Sequence, residues 1–363
     1  MTGLLFAALT FLWGTGVRAE VTQLATKKLF RDYQTKVLDL DHFLLYSVYG
    51  IFDVDKVPET YKTRSIGGLE APIHGTYIMK LVAKHWDELS EDVRRELDRY
   101  DERPTALELP TERSTDHFII HYTTADGADK TTTAYVATVE EVCEFSYDKI
   151  VTELGYDPAP PDGTKGGDAK YDIYIGGLAA TQLGVTVNEG DVANTPSRPR
   201  DEITYFVLNT SLNTNEIKTT LSHEYFHAVK GAYDWWDSSG TGDYWWFDEA
   251  TSTWIMEVCY PEIDDYVTYI DGNNYDWLRV PELTLEENDI SDDENGATKD
   301  LRWYGSTIFA IILAEKYGTS IIREIWEKLI PDTVEGIDGV EDELVENHET
   351  TLAAAMSEFH VWN

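Results

Sequence analysis

Apolar residues in this chain recur with two different periods, and the period changes near residue 117. From Val21 to Leu40 and from Leu81 to Leu97 they fall three and four positions apart, the spacing of one helix face. Pro58, Gly67-Gly68 and Pro72 punctuate the sequence between them, as loop residues do. Residues 20–110 therefore read as a helical N-terminal region that ends among acidic residues at Pro104 and Pro110. Beyond it, Phe118–Tyr122, Tyr171–Ile175 and Ile203–Leu208 are runs of β-branched and aromatic residues, which predict strands. A long helix is expected over residues 133–154, with Val136, Val139, Cys143, Ile150 and Leu154 inward.

Helical spacing then returns. Ile217, Leu221, Tyr225 and the pair Ala228/Val229 form one stripe, and Asn213, Thr214 and Asn215 stand ahead of it as capping side chains. A second helix should begin in Trp245-Trp246-Phe247 and stop at Pro261, and a third should cover residues 303–317. The order of elements predicts an α+β chain. A strand-rich part over residues 111–212 carries a mixed sheet, and a mainly helical half follows over 213–363.

The helix after Asn213 holds the main chemical signal, because residues 223–227 read His-Glu-Tyr-Phe-His. Positions i and i+4 share a helix face. His223 and His227 can therefore hold one metal ion, with Glu224 beside them to take a proton from a water the ion activates. The same histidines could instead simply pack. All three lie off the apolar stripe, so an open face is expected for them. Catalytic zinc usually takes three protein ligands, and Glu249 is the best third. Three aromatic residues precede Asp248 and Glu249, and a carboxylate inside such a wall is costly unless a cation compensates it. Helix capping by the two acids is the plainer alternative. A ligating imidazole also passes its other N–H to an acceptor, and Asp248 is a candidate for that.

Ser222 to Val229, Trp246 to Trp254 and Tyr304-Gly305-Ser306-Thr307-Ile308-Phe309 together resemble the gluzincin metallopeptidases. Thermolysin-like and alanyl-aminopeptidase-like enzymes share the layout, and the closer likeness is to secreted metallopeptidases of the immune-inhibitor-A-like kind. It runs from about Phe118 to Trp362 and is strongest at the two zinc helices; Asp248 stands where better-known branches have Asn. The resemblance implies a gluzincin (zincin-like) catalytic domain over residues 111–363 that hydrolyses a protein or peptide substrate. It implies one catalytic Zn2+, His223, His227 and Glu249 as its ligands, and Glu224 as general base. It further implies a catalytic Tyr at the head of a later helix, where Tyr304 stands. An aromatic packing residue is the other reading of Tyr304, and Arg302 is an alternative donor. An aminopeptidase needs an acidic group for the substrate amine. No Gly-x-Met-Glu-Asn-type segment is present, which favours an endopeptidase. A relative that binds peptides or surfaces without cutting them has no need of Glu224.

Composition changes this picture at a few points. The 363 residues carry 67 acidic and 29 basic side chains, a net charge of −38, which repels phosphate backbones and excludes nucleic acid as a partner. Leu4 to Trp13 is apolar but short for a bilayer. With Val17-Arg18-Ala19 it reads as a signal peptide over residues 1–19, so the mature chain is expected to be secreted, without a membrane span; an uncleaved anchor that holds it at the cell surface is the alternative. In an exported peptidase, residues 20–110 could be a pro-region or a permanent accessory domain. Cys143 and Cys259 could pair there as a disulfide or stay as two buried thiols. Asp162 to Asp168 sets carboxylates among glycines, which could take Ca2+ or merely turn the chain. Residues 285–300 are acidic and read as an exposed loop. Trp235, Trp236, Trp245 and Trp246 flank Gly240-Thr241-Gly242 and could line a substrate cleft or pack in the core. The chain stops just after an apolar helix, at Val361-Trp362-Asn363, which suggests further domains in the native protein.

Overall fold

A computed structural model of the chain describes residues 21–65, 75–179, 181–192, 195, 197–236, 245–270, 285, 302–331, 334 and 336–362. The expected signal peptide, the Gly67-Gly68 and Pro72 loop, the Gly240–Gly242 turn and the acidic stretch after Leu285 lie outside these residues.

The N-terminal region is mainly helical, with one small sheet that the helical spacing of Val21 to Leu40 conceals. Strand β1 (Val21–Leu24) pairs antiparallel with β2 (Lys62–Ser65) around α1 (Thr26–Gln34) and α2 (Leu40–Phe52). The expected helix over residues 81–97 is two helices, α3 (Gly75–Lys84) and α4 (Glu91–Asp101), with a short 3-10 turn at Trp86–Glu88 between them.

The five-stranded sheet is mixed, in the order β3-β4-β5-β7-β6. Its strands are β3 (Thr111–Ser114), β4 (Phe118–Tyr122), β5 (Tyr171–Gly176), β6 (Gly184–Asp191) and β7 (Glu202–Asn209). The three central strands run parallel and are buried almost throughout. Parallel strands covered on both faces read as continuous apolar runs, which is why the sequence reveals them. Both antiparallel edges escape that pattern: β3 is the polar run Thr-Glu-Arg-Ser, and β6 mixes Gly, Asn and Glu into its length. Helix α5 (Thr133–Tyr147) continues as one π-helical stretch at Asp148–Glu153.

The second half supplies α6 (Thr214–Lys230), α7 (Trp245–Cys259), α8 (Val267–Ile270), α9 (Arg302–Gly305) and α10 (Thr307–Tyr317). Helices α11 (Ser320–Leu329), α12 (Gly336–His348) and α13 (Leu352–Trp362) follow. The third expected helix is thus broken at Ser306. One contiguous apolar core joins the N-terminal region, the sheet and the helical half, from Leu24 and Phe43 through Phe206 to Trp326. Among the described residues, no helix is long and apolar enough to cross a membrane.

Burial corrects one expectation and bears on two readings that the sequence left open. From Thr219 to Lys230 helix α6 is buried, and His223, Glu224 and His227, 5%, 6% and 1% exposed, face a cleft instead of an open surface. Trp235, Trp245 and Trp246 are core residues, and none of them lines the cleft described below. Cys143 and Cys259 are separate buried thiols, so the disulfide is not formed. Cys143 faces its own helix, where its Sγ donates to the Glu140 carbonyl.

Candidate metal centre

Helix α6 starts at a reciprocal cap. The Asn213 side chain accepts from the Asn215 and Glu216 amides, and the Glu216 carboxylate accepts from the Asn213 amide at 2.8 Å. This satisfies amides that the first turn leaves unpaired. The same helix then carries His223 and His227 on one face, with ring centroids 4.7 Å apart. Helix α7 packs along α6 and presents Glu249 just past its first turn.

The three side chains converge. His223 Nε2 lies 3.1 Å from His227 Nε2 and 3.3 Å from Glu249 Oε2, and the third edge, His227 Nε2 to Glu249 Oε2, is 3.6 Å. A triangle with these edges has a circumradius of about 1.9 Å, just inside zinc–nitrogen and zinc–oxygen bonds of about 2.0–2.2 Å. Glu249 Oε2 is buried and accepts no hydrogen bond among the described residues. Burial pushes both imidazoles below their ordinary pKa. They are thereby held in the neutral form that offers a lone pair to a cation. Two imidazoles and one carboxylate are a zinc-type donor set, and the residues present fit that ion.

Asp248 sits behind His227, as the sequence suggested. Its Oδ1 lies 2.9 Å from His227 Nδ1, so the Nδ1 proton goes to the carboxylate and Nε2 keeps its lone pair for the metal. Two buried lysines hold Asp248 in turn. Lys80 of α3 reaches Oδ2 at 2.7 Å, and Lys230 of α6 contacts Oδ1. Lys230 also donates to the Asp248 carbonyl at 2.8 Å and to Ser252 Oγ at 2.7 Å. Its approach to His227 Nδ1 at 3.1 Å sets two donors side by side and is proximity only.

Glu224 Oε2 accepts from Thr186 Oγ1 of β6 at 2.7 Å and from Thr76 Oγ1 of α3 at 3.2 Å. Gly184 keeps room beside it, since a Cβ there would come within 2.9 Å of Glu224 Cγ. The cleft in front of the ligands is lined by Gly184, Thr220, Asp265, Tyr269 and Tyr304, with Gly75 and Thr76 of α3 at one wall. Tyr304 stacks parallel to the His223 ring at 5.3 Å. Burial, and then the Glu249 charge, push its phenol far above the ordinary pKa, so it stays protonated and can donate. Asp265, missed in the sequence, is raised by burial and hydrogen-bonded to Tyr269. Arg302 is buried and is not among the residues that line the cleft.

Two other charged clusters differ from this one. The carboxylates of the Asp162–Asp168 turn have partners within the chain. Asp162 Oδ2 pairs with the Arg103 guanidinium at 2.6 Å, and Asp168 accepts from the Lys170 amide at 2.8 Å. Glu324, Glu343 and His348 also approach one another, but Asn347 Nδ2 already donates to both Glu343 oxygens at 2.9 Å.

No protein-family model matches the chain, and no curated protein matches its sequence. The reading of the site rests on its own residues.

Proposed function

We propose that this chain is a secreted zinc-dependent peptidase, a gluzincin-type endopeptidase with Glu224 as general base. The observation that carries it is the convergence of His223, His227 and Glu249 on edges of 3.1, 3.3 and 3.6 Å. Glu224 and Tyr304 border the same cleft. A zinc ion at this triad would polarise a substrate carbonyl and lower the pKa of water beside it. His223 and His227 present their Nε2 atoms, and Asp248 fixes the tautomer of His227. The Glu224 carboxylate accepts the proton of the attacking water and returns it to the leaving amine. The Tyr304 phenol donates to the oxyanion as charge develops there. Gly184 begins edge strand β6 and borders the cleft, while the next outward amide of that strand, Thr186, is already taken by Thr76 of α3.

Purified full-length protein should then hold about one zinc per chain and cleave an unfolded casein-like substrate, with cleavage abolished by a chelator. Glu224→Gln should keep the zinc and lose the cutting. A Glu224→Gln variant as active as the parent would remove Glu224 from the reaction.

Asp265 on the cleft wall favours a second reading, an aminopeptidase whose carboxylate holds the substrate amine. Paired peptides with free and acetylated N-termini separate the two: an endopeptidase cuts both, and an aminopeptidase only the free one.

A further inference from the structure

We propose that helix α3 is a permanent part of the catalytic unit, with Thr76 and Lys80 as positioning residues for Glu224 and for His227. This rests on the peptidase reading above. It makes the N-terminal region a retained half of the enzyme, not a segment removed to activate it.

The argument begins with the direction of the hydrogen bonds. The Thr186 amide donates to Thr76 Oγ1 at 2.9 Å. The single hydroxyl proton of Thr76 is therefore free to point at Glu224 Oε2, 3.2 Å away. Thr186 Oγ1 donates to the same oxygen at 2.7 Å. Two donors on Oε2 fix the carboxylate and leave Oε1 on the Gly184 side, available to take a proton. A base held in one orientation by its neighbours is in position before substrate arrives.

Lys80 acts on the other side of α6. Its ammonium takes Asp248 Oδ2 at 2.7 Å, while Asp248 Oδ1 takes His227 Nδ1 at 2.9 Å. Lys80 and Asp248 have side chains only 3% and 6% exposed. The lysine thus fixes the acceptor that fixes the tautomer of the histidine. The rest of α3 is anchored in the same place. Tyr77 packs edge-on to Trp245 at 4.6 Å and to Trp303 at 5.3 Å, and Lys80 lies 4.1 Å over the Trp235 ring. Helix α3 itself contains no His, Cys, Asp or Glu that could ligate an ion. It supports the groups behind the triad. Its removal would strip a hydroxyl from the base and an ammonium from Asp248.

A cut between the two halves tests this directly. A specific-protease site placed in the turn at residues 105–108, where Leu107 is 95% exposed, allows the folded full-length chain to be nicked. The two pieces should co-migrate on gel filtration with zinc content and cleavage rate unchanged. An N-terminal piece that departs while the rest keeps its zinc, or cleavage that appears only once that piece is displaced, overturns the proposal. Thr76→Val should lower kcat by about 10- to 100-fold with KM and zinc affinity unmoved, and Thr76→Ser should restore it. An unchanged kcat, or an equal loss in both variants, overturns the role of Thr76. Lys80→Met should weaken zinc by about 10- to 100-fold in competition with a chelator; an unchanged affinity overturns the role of Lys80. If the parent binds zinc but cuts no peptide, the peptidase reading fails alone, because the nicking and zinc arms still decide the place of α3.

Discussion

Two buried clusters of ionisable side chains in this molecule differ in how their charges are answered. Around Arg103, the guanidinium meets Asp162 at 2.6 Å, Glu189 at 2.5 and 2.9 Å, and Asp172, and His121 Nε2 closes on Asp172 at 2.7 Å. That cluster carries its own cation, which pairs with all three carboxylates, although neither Asp162 oxygen has a hydrogen-bond partner among the described residues. Around Glu249, no ammonium or guanidinium of the described residues forms an ion pair with the carboxylate, and two neutral imidazoles aim lone pairs at the same point. Both lysines nearby are spent on Asp248. Density of acids does not distinguish the two regions. Unshared electron pairs directed at one point do, and that is the property of a cation site.

The largest predicted effects separate the clusters cleanly. His227→Ala should empty the site of zinc and drop cleavage to background, while the protein stays folded by circular dichroism. Arg103→Met should do the reverse. It leaves buried carboxylates without their cation and should cost about 3–5 kcal/mol of stability in urea unfolding, with zinc per folded chain unchanged. If Arg103→Met instead released zinc, the two clusters would be one coupled unit.

Asp248→Asn comes next. It keeps the shape and removes the charge that two lysines and His227 share, so zinc affinity should fall by about 10- to 100-fold in a chelator titration. Wild-type affinity in that variant would show that Asp248 holds the helices and not the metal.

A smaller effect falls outside both clusters. Burial pushes the Glu202 carboxyl up to about 7, against donors from Trp236, Gly190 and Asn188. Its folded pKa lies above the unfolded one, so the native state binds the extra proton between the two values. Stability should therefore fall as pH rises through about 4.5 to 7. Asp162, also raised to about 7 by burial, adds a term of the same sign. Melting temperatures across that range should slope less in Glu202→Gln than in the parent, and equal slopes would contradict the assignment. The smallest effect concerns the thiols. With Cys143 and Cys259 both free, a reductant should leave the melting temperature unchanged.

The sequence exposed what local spacing determines. His223 and His227 are one helical turn apart, Glu249 follows an aromatic wall, and the central strands are unbroken apolar runs. Those features survive in the fold because each is dictated within a few residues. What escaped depends on contacts distant along the chain. Thr76 meets Glu224 across 148 residues and Lys80 meets Asp248 across 168, and no periodicity in α3 announces either. Lys230 was closer to legible. It lies three residues past His227, yet a lysine in the last turn of a helix looks like an ordinary C-terminal charge. The expected open face of α6 failed for the same reason as the edge strands. Polar residues carry no apolar period that marks them as buried, yet His223, Glu224, Thr186 and Asn188 are all buried.

The central claim is that one zinc ion is held by His223, His227 and Glu249, and anomalous diffraction at the zinc edge tests it most directly. The account predicts a single strong peak about 2.0–2.2 Å from His223 Nε2, His227 Nε2 and the Glu249 carboxylate. A zinc peak elsewhere, or a zinc-saturated crystal with no peak among these three side chains, would contradict it.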